Sequence, residues 1–349
     1  MKKVSATEGA QLWSGSSPRV NATIIIPAYN SEKTIKQTID ACKNQKFSGS
    51  FEIIVVDDGS TDNTKKVAED AGARVFSQKN SGPAKARNFG AKKAKFDIFV
   101  FTDADCTPEK NWLSEMVAPF NDKEVVGVQG AYKTKQRSLT ARFSQAEIEE
   151  RYDLMKKNST ELDWIGSYSA AYRKKDFFDA NGFDESFPKA SGEDPELSYK
   201  LHKAGKKLVF NPKAIVYHLH PDSVWKYFRQ KFYRAFYRVL LYGKHPEKMK
   251  KDSYTPNSIK VQILSGYVGL ALLFIIPTLY FYNLDVIALA ILTGNTVLVF
   301  VATFYTVLSA IKARNDPFVA FFTLIMVQVR TLAFMLGLPA GIIKYKVLK

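Results

Sequence analysis

Cysteine is scarce in this sequence. Positions 42 and 106 hold the two present in 349 residues, too few for a disulfide framework and without the paired spacing of a zinc site. That usage fits a reducing compartment. Acid is short as well: 34 Asp and Glu stand against 50 Lys and Arg, a net charge of +16. The balance excludes an acidic, self-solvating chain and favours anionic partners such as nucleic acid, phosphate-bearing substrates or a membrane surface. The most informative absence is that of charge itself. Residues 261–282 and 286–311 contain no charged side chain, and 317–343 contains only Arg330. At ~1.5 Å rise per residue, each run wound as a helix can cross a ~30 Å hydrocarbon core. Three such runs account for the basic surplus, so no nucleic-acid partner is expected. The opening Lys2 and Lys3 lead into polar SATEGAQ rather than the apolar core of a secretory signal. The expectation is therefore an integral membrane protein with its soluble portion on the cytoplasmic face.

What precedes the apolar runs alternates strand and helix patterns. After a loose lead-in (1–20), ATIIIPAYN reads as a buried strand and SEKTIKQTIDACKNQ as a helix capped by Ser31. FEIIVVDD, ARVFSQ and DIFVFTDAD read as further strands, with helices over 64–71 and in SGPAKARNFGAKKA. Alternation at this spacing predicts a doubly wound, mostly parallel α/β sheet, whose ligands bind beyond the carboxyl ends of the strands. The acids Asp57, Asp58, Asp103 and Asp105 all fall at such ends. Read as extended chain, Asp103 and Asp105 point the same way and Ala104 the other. Two like charges held together call for a cation between them, and a hard divalent ion bridging to diphosphate oxygens answers the need.

The ordered set PAYN, VVDDGSTDNT, NSGPAKARN, TDAD, GFDESF, GEDPEL and YHLHP resembles the family 2 glycosyltransferases of GT-A fold. The resemblance covers about residues 22–243. It implies inverting transfer of a sugar from a UDP- or GDP-sugar donor, with Mn²⁺ or Mg²⁺ as cofactor. It further implies that Pro27, Tyr29 and Asn30 contact base and ribose, and that Asp57 and Asp58 hold the nucleoside. Gly82, Lys85 and Arg87 would approach the diphosphate. Asp103 and Asp105 match the metal-binding pair, and His218 a third ligand present in several relatives. Asp194 matches the general base, with Glu193 beside it. His220 is a weaker ligand candidate, and His202 and His245 read as surface residues.

The base bears on the acceptor. A polyprenyl phosphate is already an anion, whereas a hydroxyl must lose a proton, so Asp194 favours a hydroxyl on a lipid or lipid-linked saccharide. A polyprenyl-phosphate glycosyl synthase is the alternative enzyme, and a silent nucleotide-binding scaffold the alternative of another class. RQKFYRAFYR departs from the Q-x-x-R-W motif of processive relatives: Gln230 and Arg234 are wrongly spaced, and Ala235 stands where Trp is expected. Single-sugar transfer follows. Ser169 also stands where relatives often carry asparagine.

The expected organisation is a GT-A catalytic domain over 21–222, an amphipathic interfacial helix and linker over 223–258, and a transmembrane region over 259–349. In the interfacial helix Trp225, Phe228, Phe232, Phe236 and Val239 share one side. Lys226, Arg229, Lys231, Arg234 and Arg238 occupy much of the rest, with Arg229, Arg234 and Arg238 as candidate contacts to a lipid phosphate. Arg330, costly in lipid, is expected to face the helix bundle or an acceptor phosphate.

Overall fold

The computed structural model describes residues 20–347 apart from 158–161, 188, 190, 191, 251, 283 and 315. The expected loose lead-in thus lies outside the described residues. Contacts divide the chain into two compact units. The unit expected to be catalytic takes its described residues from Met1–Lys135, Tyr152–Leu219 and Leu241–Tyr254, and the unit expected to meet a membrane from Gln136–Arg151, His220–Leu240 and Thr255–Lys349; each is named below for that expectation.

The catalytic unit is built on β1 (Ala22–Ala28), β2 (Phe51–Asp57), β3 (Arg74–Ser77), β4 (Ile98–Thr102), β5 (Cys106–Pro108), β6 (Val125–Lys133), β7 (Ser169–Arg173) and β8 (Lys207–His218). They form one sheet in the order β3-β2-β1-β4-β7-β6-β8-β5. The β3-β2-β1-β4 half is parallel, whereas β7 runs antiparallel to β4 and β6, and β5 antiparallel to β8. The sheet is therefore mixed. Continuous apolar runs such as Thr23–Ile26 and Ile98–Phe101 are buried throughout, because helices cover both faces. α3 (Pro83–Lys93) lies especially close: a Cβ added at Gly90 would meet Ile25 Cγ2 at 2.5 Å and Val56 Cγ2 at 3.1 Å. The strand order reverses about β1, with β2 on one side and β4 on the other. That switch point opens the crevice where ligands bind in such sheets.

Two local expectations are corrected. Ser31 does not cap its helix with its side chain. Its carbonyl accepts from Thr34 and Ile35 while its hydroxyl donates to the Tyr29 carbonyl, and α1 (Ile35–Lys43) starts four residues later. His245 is buried, not at the surface, with Nε2 3.8 Å from a Glu196 carboxylate oxygen and its ring edge-on to Tyr199. Within the expected interfacial helix and linker (223–258), the described residues of Leu241–Tyr254 belong to the catalytic unit. Lys248 pairs with Asp163 (2.5 Å), the Ser253 amide donates to Asp163 (2.8 Å), and Tyr254 stacks on Trp164 at 4.4 Å.

The membrane unit combines part of α5 (Leu139–Lys157), most of α8 (Val224–Lys244), α9 (Asn257–Phe281), α10 (Asp285–Arg314) and α11 (Pro317–Ile342). Among the described residues two helices are long and apolar enough to cross a membrane, Asn257–Phe281 and Pro317–Tyr345, with mean hydropathies of 2.0 and 1.9. The apolar stretch of α10, Asp285–Val301, is shorter. α11 packs directly on α8. Cβ atoms added at Gly337 and Gly341 would stand 2.4 and 2.3 Å from the carbonyl oxygens of Phe232 and Phe236. Small residues four apart allow this close approach of backbones, a common device between helices in lipid.

The packing corrects the expected faces of α8. Its buried side runs through Tyr227, Lys231, Ala235 and Val239, while Trp225 stacks on Phe228 and remains 70 % exposed. Lys231 is thus an interior residue rather than a headgroup contact. Arg330 faces protein, as expected, between Glu147 of α5 and Gln262 of α9.

Candidate active site

The crevice at the switch point has a volume of about 860 Å³, within the range of small-molecule sites. Pro27, Tyr29, Asn30, Asp58, Gly82, Arg87, Asp103, Asp105 and His218 all line it. Its floor is the end of β1, where Pro27 finishes the buried run and Tyr29 stands 50 % exposed over the opening. Asn30 takes a left-handed φ of 49° and locks the rim: its amide donates to Ser60 Oγ (3.0 Å), and its Oδ1 accepts from the Thr61 amide (2.8 Å).

The neighbouring acids Asp57 and Asp58 divide their work. Asp57 is buried, caps its own turn by accepting from the Ser60 amide (3.1 Å), and does not line the crevice. Asp58 accepts from Gln78 Nε2 (2.7 Å), the Ser81 amide (2.9 Å) and the Gly82 amide (2.8 Å). Gly82 has φ = 92°, a conformation that disfavours any Cβ, and so delivers its amide to Asp58 just before α3 begins. On α3, Ala86 and Arg87 turn toward the crevice, whereas Lys85 is exposed and outside its lining. Helical spacing of 100° per residue accounts for the split.

Asp103 and Asp105 converge, though not as extended chain. Residues 104 and 105 form a turn between β4 and β5, pinned where Thr38 Oγ1 donates to the Ala104 carbonyl (2.9 Å). The turn brings ligand atoms of Asp103, Asp105 and Cys106 within 4.8 Å of one another. His218, at the end of β8, has Nε2 3.5 Å from Asp105 Oδ2 and its ring stacked on Tyr132 at 4.5 Å. Burial raises the Asp105 carboxyl, His218 opposes the rise, and Asp103 adds to it. Burial, with the charges of Asp103 and Asp105, also pushes the Cys106 thiol well above its usual range, so sulfur is held as a thiol. The donor set that remains, two carboxylates and an imidazole, fits a hard divalent cation.

Behind these acids lies a residue whose position the sequence does not reveal. Arg87 is 3 % exposed and joins both halves of the acid set. Its terminal nitrogens lie 2.8 Å from Asp103, 3.0 Å from Glu193 and 4.0 Å from Asp194. α7 (Glu193–Lys203) begins there, its first turn rich in acid, as the helix dipole favours. Glu193 is buried and also accepts from the Gly192 amide (3.1 Å). Asp194 Oδ2 accepts from the Ser167 amide (3.1 Å), while its Oδ1 is buried with no hydrogen-bond partner among the described residues. Burial first, then the charge of Glu193, lift the Asp194 carboxyl to about 7 against the pull of Arg87. A carboxylate with a free acceptor and an affinity for protons near neutrality is suited to general-base work. Glu193 and Asp194 do not line the crevice themselves; Arg87 connects them to it.

Asn88, next to Arg87, was not singled out in the sequence. It accepts from the Phe183 amide (2.9 Å) and donates to the Phe183 carbonyl (2.8 Å) and to Glu185 (3.0 Å), fixing the GFDESF loop. Ser169 accepts from Trp112 Nε1 (2.9 Å) inside the core. His220 belongs to the membrane unit, with Nε2 3.0 Å from Gln145 Oε1. On α8, Arg229 and Arg234 are exposed, and Arg238 is half-buried with NH1 3.5 Å from Thr255 Oγ1.

The family model described as glycosyl transferase family 2 matches residues 23–179. Among curated proteins, pre-mycofactocin glycosyltransferase of Mycobacterium tuberculosis is 28 % identical over 245 residues, 67 % of this chain and 50 % of that protein. Validoxylamine A glucosyltransferase of Streptomyces hygroscopicus subsp. limoneus is 28 % identical over 225 residues, 52 % and 48 % of the two chains. Poly-beta-1,6-N-acetyl-D-glucosamine synthase of Staphylococcus aureus is 27 % identical over 232 residues, 63 % and 55 %. The chain thus spans about half the length of these curated relatives. Among solved structures, the mannosyltransferase PcManGT from Pyrobaculum calidifontis, in complex with GDP-Man and Mn²⁺, is similar with a TM-score of 0.56. That similarity covers 96 % of this chain and 92 % of that chain at 18 % identity, and it shows a shared fold.

Proposed function

Residues 23–179 are a family 2 glycosyltransferase domain on a GT-A sheet, and from this premise we propose an inverting, metal-dependent transfer of one sugar at a membrane. The donor is a UDP- or GDP-sugar. The acceptor is a hydroxyl of a lipid or lipid-linked saccharide, reached with the catalytic unit on the cytoplasmic face. The observation that carries this reading is the acid cluster organised by Arg87, with an acceptor-ready Asp194 on one side and the Asp103–Asp105 pair on the other.

Tyr29 and Asn30 form the nucleoside rim, and Asp58 stiffens the Gly82 loop against the diphosphate. Asp103 and Asp105, with His218, would hold a divalent cation, which when bound would neutralise charge on the leaving diphosphate. Asp194 takes the proton of the acceptor hydroxyl as its oxygen bonds to the anomeric carbon. The bond from that carbon to the diphosphate oxygen breaks with its electron pair leaving on the nucleoside diphosphate. Arg87 keeps Glu193 and Asp194 oriented and tempers the rise in Asp194's proton affinity. Support for single-sugar transfer comes from Ala235 and the spacing of Gln230 and Arg234, and support for membrane attachment from α9 and α11.

The test is donor turnover by the full chain in detergent with a panel of UDP- and GDP-sugars, Mn²⁺ or Mg²⁺, and membrane lipids. One donor is expected to pass its sugar to a lipid fraction in a metal-dependent way. Nucleotide binding without turnover of any donor would leave the silent scaffold in its place, and a product cleaved by mild acid to a free sugar would give the polyprenyl-phosphate synthase.

A further inference from the structure

The His218 imidazole, which lines the crevice beside Asp105, is backed by a column of aromatic rings. β6 and β8 run parallel with Tyr132 opposite Val216. His218 lies two residues further along β8, so Tyr132 and His218 share a face of the sheet. Their rings stack with centroids 4.5 Å apart and planes 27° apart. Tyr168 also stacks on Tyr132, at 3.5 Å and 17°. Two rings at these distances cannot share one face of Tyr132, which therefore lies between them. Tyr132 and Tyr168 stand outside the crevice lining. The column is fixed at its far end. The Tyr152 hydroxyl accepts from the Tyr132 amide (2.6 Å) and shares a hydrogen bond with the Tyr168 hydroxyl (3.0 Å). Tyr168 folds back over Gly166, where an added Cβ would meet its Cε1 at 2.5 Å. The Gly166 amide donates to Gln129 of β6, and the next amide, that of Ser167, donates to Asp194 Oδ2 (3.1 Å). One short segment, 166–168, thus holds the Asp194 carboxylate with its backbone and props the ring column with a side chain.

We propose that Tyr132, backed by Tyr168, is a positioning residue: it sets the plane of the His218 imidazole so that Nε2 stays turned toward Asp105 and available to a divalent cation. The ring torsion of a histidine is broad, with no staggered minimum to fix it. A stacked ring fixes the plane through the imidazole face and leaves both ring nitrogens at the edge. Nε2 lies 3.5 Å from Asp105 Oδ2, close enough for one cation to take both. Packing that locks the orientation of a ligand is what makes a metal site precise. The inference rests on His218 serving as the third ligand, as proposed above, and adds what holds it there.

In the test, Mn²⁺ is titrated into the full-length protein in detergent, and free Mn²⁺ is read by its paramagnetic resonance signal. The variants are Tyr132→Phe, Tyr132→Leu, Tyr168→Leu, His218→Ala and the double variant Tyr132→Leu/His218→Ala, with the unfolding temperature reporting the folding of each. Tyr132→Phe keeps the ring and is expected to bind Mn²⁺ as the wild type does. Tyr132→Leu should weaken binding roughly tenfold, the lower end of the range for groups that orient metal ligands. Tyr168→Leu should weaken it less, and it keeps the question decidable should Tyr132→Leu fail to fold. His218→Ala should weaken binding at least as much as Tyr132→Leu. Adding Tyr132→Leu to His218→Ala should change affinity no further, because the ring acts only through the imidazole. A column that merely packs the sheet would lower the unfolding temperature of both leucine variants with Mn²⁺ affinity intact; that result overturns the proposal and leaves the metal site in place. Equal losses from Tyr132→Leu in the wild-type and His218→Ala backgrounds overturn it too. If the wild type binds no Mn²⁺, or His218→Ala binds it as tightly, the proposal falls together with the metal role of His218 in the proposed function.

Discussion

Arg87 in the catalytic unit and Arg330 in the membrane unit are both almost wholly buried, and both are held by carboxylates. Their surroundings differ in what the carboxylates are shared with. Arg87 faces Asp103, Glu193 and Asp194, with Asp105 close behind, so the cluster is short of positive charge. Arg330 instead shares one carboxylate, Glu147, with Lys231, and turns its other terminal nitrogen to Gln262 of α9. Burying an unbalanced set of charges costs several kcal/mol per ion unless a partner joins it. A buried ion pair in isolation says little about function; an excess of acids at the edge of a crevice says what that crevice can receive. The acids beside the crevice fit a divalent cation.

The contrast can be broken most severely at the base. Asp194→Asn keeps size and an acceptor for the Ser167 amide but cannot take a proton. Turnover should fall by about 10²–10⁴-fold while nucleotide affinity, followed by calorimetry, stays as in the wild type. Next in size are the two buried hubs. Arg87→Met leaves Glu193 without its cation, and Glu147→Gln leaves Lys231 and Arg330 sharing a neutral amide. Either should cost about 3–5 kcal/mol of stability, seen as a lowered unfolding temperature in detergent. Excess Mn²⁺ should restore part of the loss in Arg87→Met, where the acids remain, and none in Glu147→Gln.

A finer test uses pH. With Asp194 at about 7 when folded and about 3.9 when unfolded, the native state holds the extra proton between those values. Stability from this group therefore declines as pH rises across that window, while the basic form needed for catalysis grows in. The pH profile of kcat/KM should rise with a midpoint near 7. In Glu193→Gln the neighbouring charge that helps raise Asp194 is gone, and the midpoint should move toward acid. The smallest effect is expected at Lys226, whose exposed pairing with Asp222 is screened by solvent. Lys226→Gln should leave the unfolding temperature unchanged.

Much of the catalytic unit was legible because its signals are local. Apolar runs ending in Pro27, Asp57 and Asp103 mark strands and the crevice beyond them, and nine of the motif residues expected to bind donor or metal do line that crevice. Lys85 and Asp57 fall outside it for reasons that composition does not carry: the phase of α3 and the demand of a tight turn for a capping acceptor. Arg87 reads locally as one more cation on a helix. Its role as a bridge depends on Glu193, more than a hundred positions away. The same holds in α8, where Lys231 looks like an interfacial lysine until Glu147 is placed opposite it.

The sequence by itself determined where charge is forbidden and where it is concentrated. Runs without charge have to leave water, and acids at strand ends have to sit in a crevice, because hydrophobic burial and strand geometry act on neighbours along the chain. The tertiary structure decided which charges meet. Partnership between Arg87 and Glu193, or between Glu147 and Arg330, depends on helix phase and on packing such as the contact of Gly337 and Gly341 with α8. Electrostatic balance in a buried site is a sum over residues distant in sequence, and only the fold specifies that sum.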